Sequence, residues 1–263
     1  MEQASKIIAE KANGIGWLTF NNPERRNAMS LEMWQMTGAA MEDFERDPAV
    51  RVVVMSGAGD KAFMSGADIS QFEDQRKDAE QAAAYAKTSE DAKRRMATLD
   101  KPLIAMIRGF CIGGGLGVAT SADIRIASED ARFGIPAAKL GLAYGFESLK
   151  RLTGLVGPAH AKEILFTGRR LHAEEALRIG LVNRVVPADQ LQQTVIELAS
   201  EIATNAPLTI RSAKITIDQV MRDPEERDMG KVDASFRACF DSNDYAVGRR
   251  AFMEKRTPEF TGS

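Results

Sequence analysis

Apolar positions alternate in strand fashion from Ile15 to Phe20, just before the turn material Asn21-Asn22-Pro23. Arg51 to Met55 is a β-branched run closed by Ser56-Gly57-Ala58-Gly59, and it too predicts a strand. Between the two, Ser30 caps a helix in which Met33, Thr37, Ala40 and Phe44 recur at spacings of four, three and four, until Asp47-Pro48 stops it. Leu103 to Ile107 is the next strand; it runs into Gly109 and the cluster Gly113-Gly114-Gly115, after which Leu116 to Ser121 starts a helix. Asp123 to Ala127 predicts a further short strand. From about Ala188 strand signals fade, and four helical segments follow: Asp189 to Thr204, Leu208 to Met221, Asp228 to Phe240 and Asp244 to Lys255. Strands alternating with helices ahead of a helical tail predict an α/β fold, with no low-complexity linker and no fixed-period repeat.

Composition narrows the function classes. With 263 residues, 44% of them hydrophobic and 27% charged, the chain has the makeup of an ordinary folded protein. A net charge of −2 gives no broad basic field, so no nucleic-acid partner is expected and an anionic ligand must be held locally. Residues 1–11 include Glu2 and Glu10 and hold no apolar stretch of signal-peptide length, and no later segment reaches membrane-spanning length. The expected location is the cytoplasm. Cys111 and Cys239, the only cysteines, form neither a disulfide framework nor a metal-ligand pattern, and no metal site is expected.

Several common chemistries fail on spacing. The glycines at 113, 114, 115 and 117 do not fit G-x-G-x-x-G, because Val118 takes the last place. Gly109 and Gly114 have P-loop spacing, yet Gly115-Leu116 replaces the lysine and hydroxyl residue that grip a triphosphate. There is no G-x-S-x-G elbow, and His160 and His172 are not placed to ligate zinc or serve a serine nucleophile.

Two strand-exit loops remain: Phe63-Met64-Ser65-Gly66-Ala67-Asp68-Ile69 and Gly109-Phe110-Cys111-Ile112-Gly113-Gly114-Gly115. With Asn21 to Met29, Ala122 to Ala127, Phe133-Gly134-Ile135-Pro136, Leu140-Gly141, Ala176 to Asn183 and Ala251 to Arg256, they resemble, in order and over nearly the whole chain, the crotonase (enoyl-CoA hydratase/isomerase) superfamily. The resemblance implies a crotonase-type spiral of ββα units over residues 1–200. A C-terminal helical oligomerisation region would follow over residues 201–263, assembling a homotrimer or a dimer of trimers. It also implies an acyl-CoA thioester as substrate and no cofactor beyond the CoA moiety.

Deprotonation, addition or decarboxylation beside a thioester places negative charge on its carbonyl oxygen, and losing one N–H donor aimed at such an oxygen typically costs about 10²–10³ in rate. By resemblance the donors are the N–H groups of Ala67 and Gly114, the latter reinforced by the helix that follows it. Taken alone, the same glycines would read as tight turns. Ala28, Ser65 and Ile69 resemble the family's adenine-binding wall. Arg25, Lys255 and Arg256 would meet CoA phosphates, the last two in the family often those of a neighbouring subunit; otherwise they are a solvated helix end.

At the positions of the two glutamates that family hydratases use, this chain has Gly117 and Ala137. Each acid–base group commonly supplies roughly 10²–10⁴ in rate, so hydration by the usual route should be crippled. Two replacements stand out on the next loop. Tyr144, in a context similar to the family's methylmalonyl-CoA decarboxylase, either orients a carboxylate or protonates the enolate, or is a half-buried aromatic. Glu147 lies two residues beyond an aspartate of some dehalogenase and dienoyl-isomerase members; it is either an acid–base group or an exposed helix-start acid. Asp68 is expected to anchor its loop. The readings that follow are a hydratase- or isomerase-like lyase with a displaced catalytic group, a decarboxylase or hydrolase on the same scaffold, or a non-catalytic acyl-CoA binder.

Overall fold

The computed structural model describes residues 5–68 and 79–263. The first described strands are β1 (Ile7–Ala12) and β2 (Ile15–Phe20), an antiparallel hairpin of which the alternation of the sequence predicts only the second strand. Its turn is Asn13-Gly14, both at positive φ (53° and 78°), the pairing that matches strand twist in a two-residue hairpin. Helix α1 (Leu31–Arg46) starts where predicted: the Ser30 hydroxyl oxygen accepts from the Met33 N–H at 3.2 Å.

From there the chain winds as a spiral. Strand β3 (Val52–Gly57) is followed by the short β4 (Ala62–Met64) and then by helix α2 (Ala79–Ala97). Strand β5 (Leu103–Ile107) is followed by β6 (Phe110–Ile112) and helix α3 (Gly114–Ala119). Strand β7 (Ile124–Ser128) is followed by β8 (Arg132–Gly134), a 3-10 turn at Pro136–Lys139, and helix α4 (Phe146–Thr167). Helix α4 breaks at Gly157, whose φ is 74°, just before Pro158. The first strand of each turn joins a six-stranded sheet in the order β1-β2-β3-β5-β7-β10, and the second joins a four-stranded sheet in the order β4-β6-β8-β9. Here β9 is Leu171–His172 and β10 is Arg184–Val186, with α5 (Ala173–Arg178) between them.

The β-branched run of β3 is explained by burial on both faces, as expected of a strand inside a parallel sheet. Val53 and Met55 face the main core with Leu18, Phe20 and Leu103; Val52 and Val54 face a second core with Ile104, Ile126 and helix α6 (Leu191–Thr204). The tail continues as α7 (Pro207–Val220), α8 (Met229–Phe240) and α9 (Asn243–Glu254). The predicted tail helices agree with these within a few residues. Among the described residues, α8 buries none of its side chains within the single chain.

Candidate active site

The two strand-exit loops leave the small sheet side by side, because β4 and β6 are parallel neighbours in it. The first loop is held by residues 22–29. The Arg26 carbonyl accepts from the Ser65 N–H at 3.0 Å, and the Arg25 carbonyl accepts from the Ser65 hydroxyl at 3.3 Å. Met29 forms a parallel bridge with Ala67: its N–H donates to the Gly66 carbonyl at 2.8 Å, and its carbonyl accepts from the Asp68 N–H at 3.0 Å. The C=O and N–H of one trans peptide point in opposite directions. Since Met29 holds the Gly66 carbonyl, the Ala67 N–H is turned to the far side of the bridge.

The second loop lies against that peptide. A β-carbon placed on Gly114 would sit 3.5 Å from the Gly66 Cα and 3.9 Å from the Ala67 nitrogen, and one placed on Gly66 would sit 3.4 Å from the Gly114 nitrogen. Gly66 has φ of 101°, a conformation open chiefly to glycine. The Gly113 N–H is committed to the Gly134 carbonyl at 2.8 Å, leaving Gly114 as the first residue of α3, where an N–H has no intrahelical acceptor. Helix α3 is six residues long, fewer than two turns, so the reinforcement expected from its N-terminus is that of a short helix.

Beyond the loops, Gly117 is buried in α3 and Ala137 is buried in the 3-10 turn. No carboxylate stands at either place. Tyr144 reaches this region from the loop before α4, with its hydroxyl 3.8 Å from where a β-carbon on Gly117 would be. Burial pushes the phenol well above its ordinary range, with the Cys111 thiol adding to the shift, so Tyr144 keeps its proton at neutral pH. Burial likewise raises the fully enclosed Cys111. Glu147 is exposed in the first turn of α4.

The chain matches the family model described as Enoyl-CoA hydratase/isomerase over residues 10–263. It belongs to the enoyl-CoA hydratase/isomerase family. The short-chain-enoyl-CoA hydratase of Clostridium acetobutylicum is 36% identical over 257 residues, covering 98% of both chains. The crotonyl-CoA hydratase of Syntrophomonas wolfei is 36% identical over 254 residues, covering 97% of both. Among solved structures, an enoyl-CoA hydratase/carnithine racemase from Magnetospirillum magneticum superposes with a TM-score of 0.93 at 38% identity, covering 99% of this chain and 97% of that one.

Set on the family's fold, the residues expected to line a CoA site divide into two groups. Arg25, Ala28 and Ser65 come together: the Arg25 carbonyl accepts from the Ala28 N–H at 3.1 Å and from the Ser65 hydroxyl at 3.3 Å, and the Arg25 guanidinium lies 3.7 Å from the Asp68 carboxylate. The Asp68 carboxylate is buried beside that guanidinium. Lys255 and Arg256 form the exposed end of α9, where Arg256 pairs with Glu254 at 2.6 Å. Ile69 lies outside the described residues. Sequence reasoning missed three buried groups that hold the first loop. Asn27, at φ of 57°, donates from Nδ2 to the carbonyls of Ala58 (3.0 Å) and Ala62 (2.7 Å), tying the 22–29 segment to the β3–β4 connection. Trp34 and Tyr85 are the other two. No helix among the described residues is long and apolar enough to cross a membrane, and none of their His, Cys, Asp and Glu side chains gather as a metal-binding group.

Proposed function

We propose that this family member turns over an acyl-CoA thioester by stabilising its enolate with the N–H groups of Ala67 and Gly114, with Tyr144 as the proton donor. The observation that carries the reading is the Tyr144 hydroxyl, which lies 3.8 Å from the β-carbon position of Gly117, where the family's hydratases project a glutamate. Two backbone donors lower the energy of the oxyanion, and a neutral phenol beside them can deliver a proton to the enolate carbon. In this reading Arg25, Ala28, Ser65 and Ile69 hold CoA, with Lys255 and Arg256 reaching the phosphates across a subunit boundary. Glu147 contributes as an acid on the rim, and no cofactor beyond CoA takes part.

Relatives named as hydratases favour addition of water to an enoyl thioester. Gly117 and Ala137 favour a second reading, because decarboxylation makes the enolate by loss of CO₂ and needs an acid but no carboxylate base. Turnover of crotonyl-CoA and methylmalonyl-CoA, measured side by side on the same preparation, separates them. Faster crotonyl-CoA turnover selects the lyase, faster methylmalonyl-CoA turnover selects the decarboxylase, and binding of both without turnover selects a non-catalytic acyl-CoA binder.

We further infer that the tail helices are the assembly surface of a cytoplasmic homotrimer or dimer of trimers. Phe236, Phe240, Phe252 and Met253 are at least half exposed in the single chain, and with Leu208 and Phe260 they line a groove of about 930 Å³ between α7, α8 and α9. Exposed apolar area on this scale is characteristic of a protein interface.

A further inference from the structure

A buried hydrogen-bonded chain reaches the first loop from behind. Trp34, on α1, donates from Nε1 to the Tyr85 hydroxyl at 3.0 Å. Tyr85, on α2 and 5% exposed, donates in turn to the Met29 carbonyl at 3.1 Å. The same carbonyl accepts from the Asp68 N–H at 3.0 Å, and the Met29 N–H holds the Gly66 carbonyl at 2.8 Å. A carbonyl oxygen has two lone pairs, and here the Tyr85 hydroxyl takes one and the Asp68 N–H the other.

Resting on the assignment of Ala67 as an oxyanion donor, we propose that Tyr85, backed by Trp34, is a positioning residue for the Ala67 N–H. The peptide groups on both sides of Ala67 are held by one residue, Met29, through its N–H and its C=O. With Met29 pinned by Tyr85, neither peptide can rotate without breaking a buried bond. In such a chain each donor is polarised by the one behind it. A second element is thereby coupled to the site: α2 must be docked on α1 for Tyr85 to reach Met29, so the direction of the donor depends on the packing of these two helices. Misplacing an otherwise intact catalytic group by a fraction of an ångström to one ångström costs up to about a hundredfold in rate.

The test uses the full-length protein and the acyl-CoA that the wild type turns over. Tyr85→Phe should lower kcat roughly ten- to a hundredfold with KM within about twofold. It should also shift the Ala67 amide resonance, and it leaves the Trp34 indole N–H without a partner, so the melting temperature falls. The double variant Trp34→Phe/Tyr85→Phe removes that orphaned donor, and its melting temperature should recover while kcat stays low, since replacing both partners by apolar groups is nearly neutral. Recovery of kcat along with stability would overturn the proposal, as would an unchanged kcat and Ala67 resonance in a folded single variant. If Tyr85→Phe fails to fold, the double variant decides by its kcat. If the wild type turns over no acyl-CoA, the oxyanion assignment falls on its own, and the Ala67 resonance alone decides the relay: an unmoved amide overturns it.

Discussion

The Tyr144 hydroxyl and Gly117 are packing neighbours: the oxygen lies 3.8 Å from the position of a β-carbon on Gly117, ordinary van der Waals contact for a methyl group. That contact leaves space for a methyl group, and a longer side chain extended toward the phenol would meet it. Gly117→Ala is therefore expected to fold and keep most of its activity. Tyr144→Phe should lower kcat by about 10²–10⁴ while leaving CoA affinity unchanged, because only the proton donor is lost. Steady-state kinetics with calorimetric CoA binding checks both, and a Tyr144→Phe enzyme with wild-type kcat would remove Tyr144 from the mechanism.

Burial raises both Tyr144 and Cys111 above their ordinary values of 10.0 and 9.0. For a group whose folded pKa is raised, the stability it contributes is complete below the unfolded pKa and is lost as pH climbs toward the folded one. Stability should therefore hold up to about pH 9, then decline by roughly 1.4 kcal/mol per pH unit through Cys111 and, above about pH 10, by a similar slope again through Tyr144. Urea unfolding at pH 8 and pH 10.5 should show a smaller loss in Tyr144→Phe and in Cys111→Ala than in the wild type. Arg125, which burial pushes down to about 10, is unchanged by Tyr144→Phe, whereas Cys111→Ala also removes the thiol that acts on it, so the Tyr144→Phe comparison is the direct one. Equal losses in all three would contradict the assignment.

Adjacent glycines of the second loop should fail in different ways. A β-carbon on Gly115 would stand 2.1 Å from the Met64 carbonyl oxygen, which is fixed backbone, so Gly115→Ala should destabilise by about 3 kcal/mol or more. On Gly114 the nearest atom is 3.5 Å away, so Gly114→Ala should fold normally. Its methyl group nevertheless stands against the Gly66–Ala67 peptide, beside the proposed oxyanion position, and kcat should fall by at least about tenfold. Melting curves and kinetics on the two variants test the contrast. A stable, fully active Gly114→Ala enzyme would argue against an oxyanion hole there.

Elements with a one-dimensional signature were legible in the sequence. The doubly buried run of β3, the Ser30 cap and the tail helices carry their pattern locally, and the Gly-rich loop is recognisable by composition. Strand β1 was missed although Asn13-Gly14 announces a hairpin, because the polar residues Glu10 and Lys11 of this exposed edge strand weaken its alternation. Short strands such as β4, β6 and β8 have three residues each, too few for any periodicity. Tyr85 was invisible for another reason: its partners Trp34 and Met29 are 51 and 56 residues away, and only the docking of α2 on α1 brings them together. Tyr144 was a candidate by resemblance, but its place over Gly117 depends on the path of a loop that no local pattern encodes.

Assembly should depend on the apolar end of α9. Phe252 and Met253 are 84% and 82% exposed in the single chain, so Phe252→Asp changes no internal packing and should leave the monomer folded. A charge desolvated inside an interface is costly, and the oligomer should weaken by at least about tenfold in dissociation constant. Sedimentation velocity at micromolar concentration would show it. A wild-type monomer under these conditions would refute the proposed assembly.

The last prediction concerns the missing glutamates. If only the two acids had been lost, Gly117→Glu with Ala137→Glu would restore hydration of crotonyl-CoA. The packing of Tyr144 argues for a different outcome. A glutamate at 117 must pass the phenol oxygen 3.8 Å from its own β-carbon, and the buried, protonated tyrosine would either be expelled or hydrogen-bond the new carboxylate and hold it out of line. The double variant should therefore gain little hydratase activity and lose whatever turnover Tyr144 supports. Removing the obstacle with Tyr144→Ala frees the space, and the triple variant should hydrate crotonyl-CoA at least about tenfold faster than the double, because each correctly placed acid–base group is commonly worth 10²–10⁴. Loss of absorbance from the conjugated thioester follows the reaction directly. Equal rates in the double and triple variants would show that Tyr144 does not occupy the place of the hydratase glutamate during turnover.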